Sequence, residues 1–337
     1  MFDFLFKIDN ICALWCYVFV MSDLILVIIP HSIAGRLIVK SLADGFEQNG
    51  FSVDFYDEMT QNNFSEFIKD KDYKYITGYD FSPLKLKVDN KLKMPCICYF
   101  ADVIESKAAG VGEDFDKYIP FLNEKDVYTF YWDKELAKQA DYKNLFYMPM
   151  FVNTEVYKPM DIEKEYDIMF AGRLDTDYRL EMTIDLMKMF SNLNFAWFAI
   201  EKHYIDALSR TDEKELLKKA YKGFIDNEPD MAKEINKSKI IYTINSQGLT
   251  SLNHRTIQTV ACKTLVISDF REEINMYKGD LPFYIDIQDL AEKIKYYSEN
   301  KKAYEYTTDK CYQFAINNLS AKICVEKMLD RIVSCIS

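Results

Sequence analysis

The sequence is poor in the groups that most often announce a chemistry. It has three histidines, His31, His203 and His254, too few for a zinc framework, and none of its eight cysteines belongs to a CxxC pair. The scattered thiols, with Cys96 and Cys98 on one face of a buried strand, fit a reducing cytoplasm. There is no GxxxxGK[ST], so a P-loop nucleotidase is unsupported, and there is no GxSxG or GxGxxG. Basic residues are short by charge: 42 Lys and Arg stand against 53 Asp and Glu, a net −11. That balance excludes general nucleic-acid binding, which needs a basic face to replace counterions. An anionic ligand would have to be met by a local cluster of Arg, Lys and backbone N–H groups. Long apolar runs are missing too. The longest in the first twenty residues, Ile11 to Met21, is well short of the ~20 residues that span a bilayer, and no transmembrane helix is expected. The same region lacks the basic start and cleavage site of a secretory signal. Met21, just ahead of the first strand, reads as the native start. The competing reading makes residues 1–20 an apolar extension that anchors at a membrane interface.

What the chain does have is apolar material: 49% hydrophobic and 15% aromatic residues over 337 positions, enough for two packed cores. Strand-like runs at 24–30, 51–57, 73–78, 94–100 and 126–131 alternate with helical or loop segments. The helix after the first strand is marked by Ile33, Leu37, Ile38, Leu42 and Phe46, with Gly50 as its stop. Residues 144–160 hold a strand and two prolines and read as a connection. The alternation then restarts with strands at 166–172, 194–200, 221–225, 239–245 and 264–269, and helices at 177–192, 211–222 and 229–237. From Asp286 onward the pattern is mostly helical. Short apolar runs alternating with helices give α/β units with parallel sheets. The expected fold is two Rossmann-like, doubly wound halves: residues 21–155 and 156–315, followed by a helical segment, 316–337.

In open α/β sheets, ligands sit beyond the carboxyl ends of the strands. Those ends deliver His31 and Asp102 in the first half. In the second they deliver Gly172, Arg173 and Arg179, then Asn245, then the stretch "SLNHRTIQTVACKTLVISD" (251–269), where a dense set of polar groups opens a helix. Gly172 allows close backbone approach, and Arg173 and Arg255 offer planar forks of donors. A helix N-terminus adds N–H groups and partial positive charge. Together they could hold a diphosphate. The plainer reading pairs Arg173 and Arg255 with Asp175 and Asp269. Asp175 and Asp177 invite a metal reading, but two acids in a turn are more often a solvated, helix-capping loop, so no metal site is expected.

Four segments, in order, carry a resemblance. "YDIMFAGRLDTDYRLEMTIDLM", "YKGFIDNEPDMAKEINKSKIIYTIN" and "LNHRTIQTVACKTLVISDFREEI" resemble the C-terminal domain of group 1 glycosyltransferases, and "MPMFVNTEVYKP" ahead of them resembles the segment that joins their two domains. The nearest branch is the one related to the spore-maturation protein CgeB. The match covers about residues 145–300. It implies a GT-B fold, two Rossmann-like domains facing across a cleft, with a final helix crossing back to the first domain. By position, Gly172 and Arg173 would approach the donor diphosphate and Asn253, Arg255 and Gln258 would line the nucleotide-sugar side; Arg179 and Asn245 at the strand ends and His254 at the helix start join them as donor-site candidates. Two departures stand out: Gln258 replaces the family's usual Glu, and Lys263 its usual Gly. The Glu-x7-Glu pair of many retaining members would fall on Thr250 and Gln258 and is absent.

The resemblance implies a nucleotide-sugar-dependent glycosyltransferase that needs no metal or other cofactor. Its donor is expected to be a UDP- or GDP-sugar, and its acceptor a glycan, glycolipid or protein. Some inverting GT-B enzymes carry a histidine where His31 stands, so His31 with Asp102 reads as base and orienter. A cytoplasmic site, peripheral at the inner face of the membrane, is expected. The rival expectations are a nucleotide-sugar epimerase or hydrolase of the same fold, and a non-catalytic scaffold that kept it.

Overall fold

The computed structural model describes residues 23–104, 116–245 and 248–336; the apolar stretch 1–20 and Met21 lie outside them. The first half alternates β1 (Leu24–Ile29), α1 (Ile33–Gln48), β2 (Ser52–Asp57), α2 (Phe64–Phe67), β3 (Tyr75–Tyr79), α3 (Ser82–Asp89), β4 (Cys96–Phe100), β5 (Val127–Tyr131), α4 (Lys134–Gln139) and β6 (Leu145–Tyr147). All pairings are parallel, in the order β2-β1-β3-β4-β5-β6. Helices cover the sheet, so its central strands read as unbroken apolar runs. Every residue of β4 and β5 is buried. The Ser32 hydroxyl caps α1, accepting from Gly35 N at 3.0 Å.

The second half repeats the scheme with β7 (Tyr166–Ala171), α5 (Asp177–Met189), β8 (Phe195–Phe198), α6 (Glu201–Ser209), α7 (Lys214–Ala220), β9 (Tyr221–Gly223), α8 (Glu228–Asn236), β10 (Ser238–Thr243), α9 (His254–Ala261), β11 (Leu265–Asp269) and β12 (Phe283–Tyr284). Its sheet, also parallel, runs β12-β11-β10-β7-β8-β9. Three helices finish the chain: α10 (Ile287–Glu299), α11 (Lys301–Asn318) and α12 (Ala321–Ile336). Among the described residues, no helix is long and apolar enough to cross a membrane.

Each sheet grows outward from its first strand and then switches to the other side. The crossovers leave a crevice between β1 and β3 in one half and between β7 and β10 in the other. Such switch points are where doubly wound sheets bind ligands.

The last helix ties the halves together. Val152 N donates to Leu319 O at 3.0 Å, and Ala321 N donates back to Val152 O at 2.8 Å. From there α12 runs against α1, burying Cys324, Val325, Met328 and Ile332. Each such side chain contributes about 1.5–3 kcal/mol of transfer free energy. The approach is close because position 45 is glycine: a Cβ there would sit 2.6 Å from Val325 Cγ2 and 2.7 Å from the Ala321 carbonyl oxygen.

Candidate functional site

The carboxyl ends of the two sheets face one cavity of about 540 Å³, within the range that holds small ligands. From the first half it is lined by Leu37 and Ile38 of α1, Tyr79, Ala101 and Asp102 beyond β3 and β4, Trp132 and Met150. From the second half come Phe170 to Arg173 at the end of β7, Arg179 of α5, Thr243 and Ile244 at the end of β10, and Ser251, Asn253, His254, Arg255 and Gln258 around the start of α9.

The α9 wall is built in layers. Asn253 caps the helix, its Oδ1 accepting from Thr256 N at 3.0 Å. Asn245 stands behind it: its Oδ1 accepts from Asn253 N at 2.7 Å, and its own backbone N–H donates to Asp269 at 2.9 Å. Asn245 is outside the cavity lining and acts as the seat of the helix start. Arg255 presents its guanidinium to the cavity. Its Nη1 donates to Gln258 Oε1 at 2.7 Å, while its buried Nε–H has no partner. The Gln258 amide nitrogen donates to the Tyr157 hydroxyl at 2.8 Å and lies 3.4 Å from His254 Nδ1. The other ring nitrogen of His254, Nε2, faces the Phe151 carbonyl at 3.1 Å. A carbonyl only accepts, so Nε2 carries the hydrogen and Nδ1 is the acceptor. Burial, reinforced by the Arg255 charge, pulls His254 down to about 4, so the ring is neutral near pH 7.

The pairing of both arginines with nearby acids holds for one of them. Arg173 Nε lies 3.3 Å from Asp175 and stays half exposed at the cavity edge. Asp269 instead faces Arg271 at 3.4 Å and the Asn245 backbone. Among the described residues no carboxylate lies within ion-pair distance of Arg255. Its polar neighbours are the Gln258 amide and the Tyr157 hydroxyl, and a half-buried guanidinium without a carboxylate is costly unless something anionic completes it.

Arg179 does a different job from its neighbours. It is 8% exposed, and its guanidinium donates to the Ile244 carbonyl at 2.9 Å, to Asp175 at 3.0 Å and to the Arg173 carbonyl at 3.3 Å. It therefore braces the ends of β7 and β10 across the switch point. Gly172 is held by Trp197, whose indole N–H donates to its carbonyl at 3.0 Å. Asp177 pairs with Arg210 at 3.2 Å, so the two acids of the "DTD" turn point to separate arginines.

On the opposite wall, Asp102 accepts a hydrogen bond from the Tyr79 hydroxyl. Behind it lies Asp80, fully buried, which accepts from Ala101 N at 3.2 Å. Burial, then the neighbouring Asp102 charge, pushes the Asp80 carboxyl well above the ordinary carboxylate range. Asp102 is the member of this pair that reaches the cavity surface. His31 is not brought to it: the residue stays exposed in the turn after β1, near Asp57 and Glu58, outside the cavity lining. No motif marks Tyr79 or Trp132, which only the fold brings to the site, whereas Tyr157 belongs to the connecting segment "MPMFVNTEVYKP" and reaches the site through Gln258.

The architecture has known counterparts. Residues 195–330 match the family described as glycosyl transferase-like. Sucrose-phosphate synthase from Thermosynechococcus elongatus superposes with a TM-score of 0.69 at 12% identity, covering 94% of this chain and 100% of that one. A glycosyltransferase from Rickettsia africae gives 0.67 at 14%, covering 94% and 99%. Anabaena HepE in complex with UDP gives 0.64 at 10%, covering 93% and 100%. No curated protein matches the sequence. The fold is GT-B, and the cavity is its interdomain cleft. At position 263, where the resembled family commonly has Gly, Lys263 adopts a left-handed φ of 55°. That conformation costs a non-glycine residue about 1–2 kcal/mol.

Proposed function

We propose that this GT-B protein transfers a sugar from a nucleotide diphosphate donor, UDP- or GDP-linked, to an acceptor hydroxyl seated against the first domain. The observation that carries the reading is Arg255: a half-buried guanidinium on the cavity wall, with a buried, unpartnered Nε–H and no carboxylate partner among the described residues, beside a helix N-terminus at the β7/β10 switch point. A diphosphate completes that electrostatic arrangement. Arg255, Arg173 and the amides at the start of α9 stabilise the charge that develops on the leaving diphosphate, so the reaction as read needs no metal. Asp102, across the cleft, accepts the acceptor hydroxyl's proton, and Tyr79 orients it. His31, exposed in the turn after β1 and outside the cavity lining, has no role in this reading. Gly172, Asn253, His254 and Gln258 shape the donor wall, while Arg179 and Asn245 hold that wall in place.

Similarity to a HepE structure solved with UDP favours a uridine donor. The acceptor is read as a cell-surface glycan, glycolipid or protein, and the enzyme as cytoplasmic, peripheral at the inner membrane face. Its nearest branch is read as the one related to CgeB. A screen of UDP- and GDP-sugars, followed by release of free nucleotide with and without acceptors, tests the reading. Acceptor-dependent release is expected. Release without an acceptor would indicate a hydrolase, and neither release nor binding a scaffold.

A further inference from the structure

The segment entering α9 is held by the other domain. Asp133, buried at the start of α4, caps that helix through Oδ1, which accepts from Glu135 N and Leu136 N, both at 3.0 Å. Its second oxygen, Oδ2, crosses the domain boundary. It accepts from three consecutive backbone N–H groups, Leu249 at 2.7 Å, Thr250 at 2.8 Å and Ser251 at 3.1 Å. The Thr250 hydroxyl adds a bond to Oδ1 at 3.1 Å, and the Ser251 hydroxyl donates to the Trp132 carbonyl at 2.7 Å. Consecutive N–H groups converging on one oxygen form an anion nest, and here a carboxylate of the facing domain fills it. Gly248 makes room: its φ is +75°, and a Cβ would lie 2.7 Å from Asp133 Oδ2 and 2.9 Å from the Trp132 ring. A second carboxylate secures the far side of the segment. Glu273 accepts from Leu252 N at 2.6 Å and from the Tyr147 hydroxyl of the first domain. The next residue, Asn253, is the cap of the helix that carries Arg255.

We propose that Asp133 is a positioning residue that couples closure of the two domains to assembly of the donor site. With the domains together, its carboxylate fixes the backbone of 249–251 and so sets Asn253 and Arg255 in register. With them apart, the nest is empty and the helix start is loose. Closure and donor affinity are then linked, each favouring the other. The link to donor affinity rests on the donor-site reading above; the clasp itself does not.

Asp133→Asn tests it, because asparagine keeps an acceptor for the α4 cap but turns an amide NH2 toward the three donors. Gly248→Ala attacks the same contact from the other side. Both are checked for folding by thermal melting. In the ligand-free chain, hydrogen exchange at the Leu249, Thr250 and Ser251 amides should speed up about tenfold or more in each variant. Exchange in β10 should keep its wild-type rate. Calorimetric titration with UDP should then show affinity lowered about tenfold, within the usual span of interdomain coupling. Unchanged exchange at 249–251 would overturn the clasp. Faster exchange with UDP bound as tightly as by wild type would overturn the coupling. If wild type binds neither UDP nor GDP, the donor reading and the coupling fall together, while the exchange rates still decide the clasp.

Discussion

Replacing Gln258 by Glu sets two accounts of the donor wall against each other. The Gln258 side chain is 2% exposed, and its Oε1 already accepts from Arg255 at 2.7 Å. A carboxylate in the same place becomes a close ion pair and cancels the charge that Arg255 offers to a ligand. A charge-assisted hydrogen bond is worth about 1.5–3 kcal/mol. Losing one weakens nucleotide binding about 10- to 150-fold, at ~1.4 kcal/mol per decade. The substitution also reaches His254. The amide nitrogen that faces its Nδ1 at 3.4 Å becomes a carboxylate oxygen, which favours the protonated ring. The His254 pKa, held down at about 4 by burial and by Arg255, should therefore rise. Calorimetry with UDP and an NMR titration of the His254 ring read the two effects separately. The family that this chain resembles commonly carries Glu at this position. Equal or tighter UDP binding by Gln258→Glu would refute the reasoning, because residue 258 would then face the ligand rather than tune Arg255.

Asp102→Asn should cut transfer about 10²- to 10⁴-fold, the usual worth of a general base, while UDP affinity measured by calorimetry stays within about twofold; a loss of affinity instead would move Asp102 out of the base role. The pH dependence of stability follows from buried acids. Burial holds Glu273 up at about 7, and Glu228 likewise at about 7. A raised acid binds its proton more tightly in the folded chain. Its contribution is therefore complete below the unfolded value of about 4.3 and is lost as pH rises through 7, on the order of 3 kcal/mol each. Urea melts of Glu273→Gln at pH 5 and pH 8 should show a flatter dependence than wild type, and an identical slope would contradict it. Gly45→Ala should destabilise the chain by about 1–3 kcal/mol, because α12 must retreat from α1; a neutral melt would mean that the crossing helix is loosely held.

The sheets were legible because buried parallel strands leave an unmistakable mark: "LILVII", "CICYF" and "VYTFY" are apolar on both faces. The helix start at 254 was legible through its cap, Asn253, and its polar opening. Other features left weaker traces. Helix α6 was not legible: it is short, and only Ala207 among its residues is buried. Strand β12 has two residues, too few for any pattern. At the site, the motif-borne residues Gly172, Arg173, Asn253, His254, Arg255 and Gln258 do line one cavity. Asn245 and Arg179 belong to the same wall but act as its braces, since local sequence cannot say which donors are spent on carbonyls. The partners across the cleft were invisible for a simple reason. Asp133 meets residues more than 110 positions away, and its neighbourhood, "YWDKEL", reads only as a strand end and a helix cap.

The most direct test of the account is calorimetric titration of UDP and GDP into wild type and Arg255→Ala. Saturable binding of one nucleotide by wild type, weakened at least tenfold by the substitution, is the predicted result. Equal affinity in both proteins, or no binding by wild type, would contradict the claim that this half-buried guanidinium is the heart of a nucleotide-sugar site.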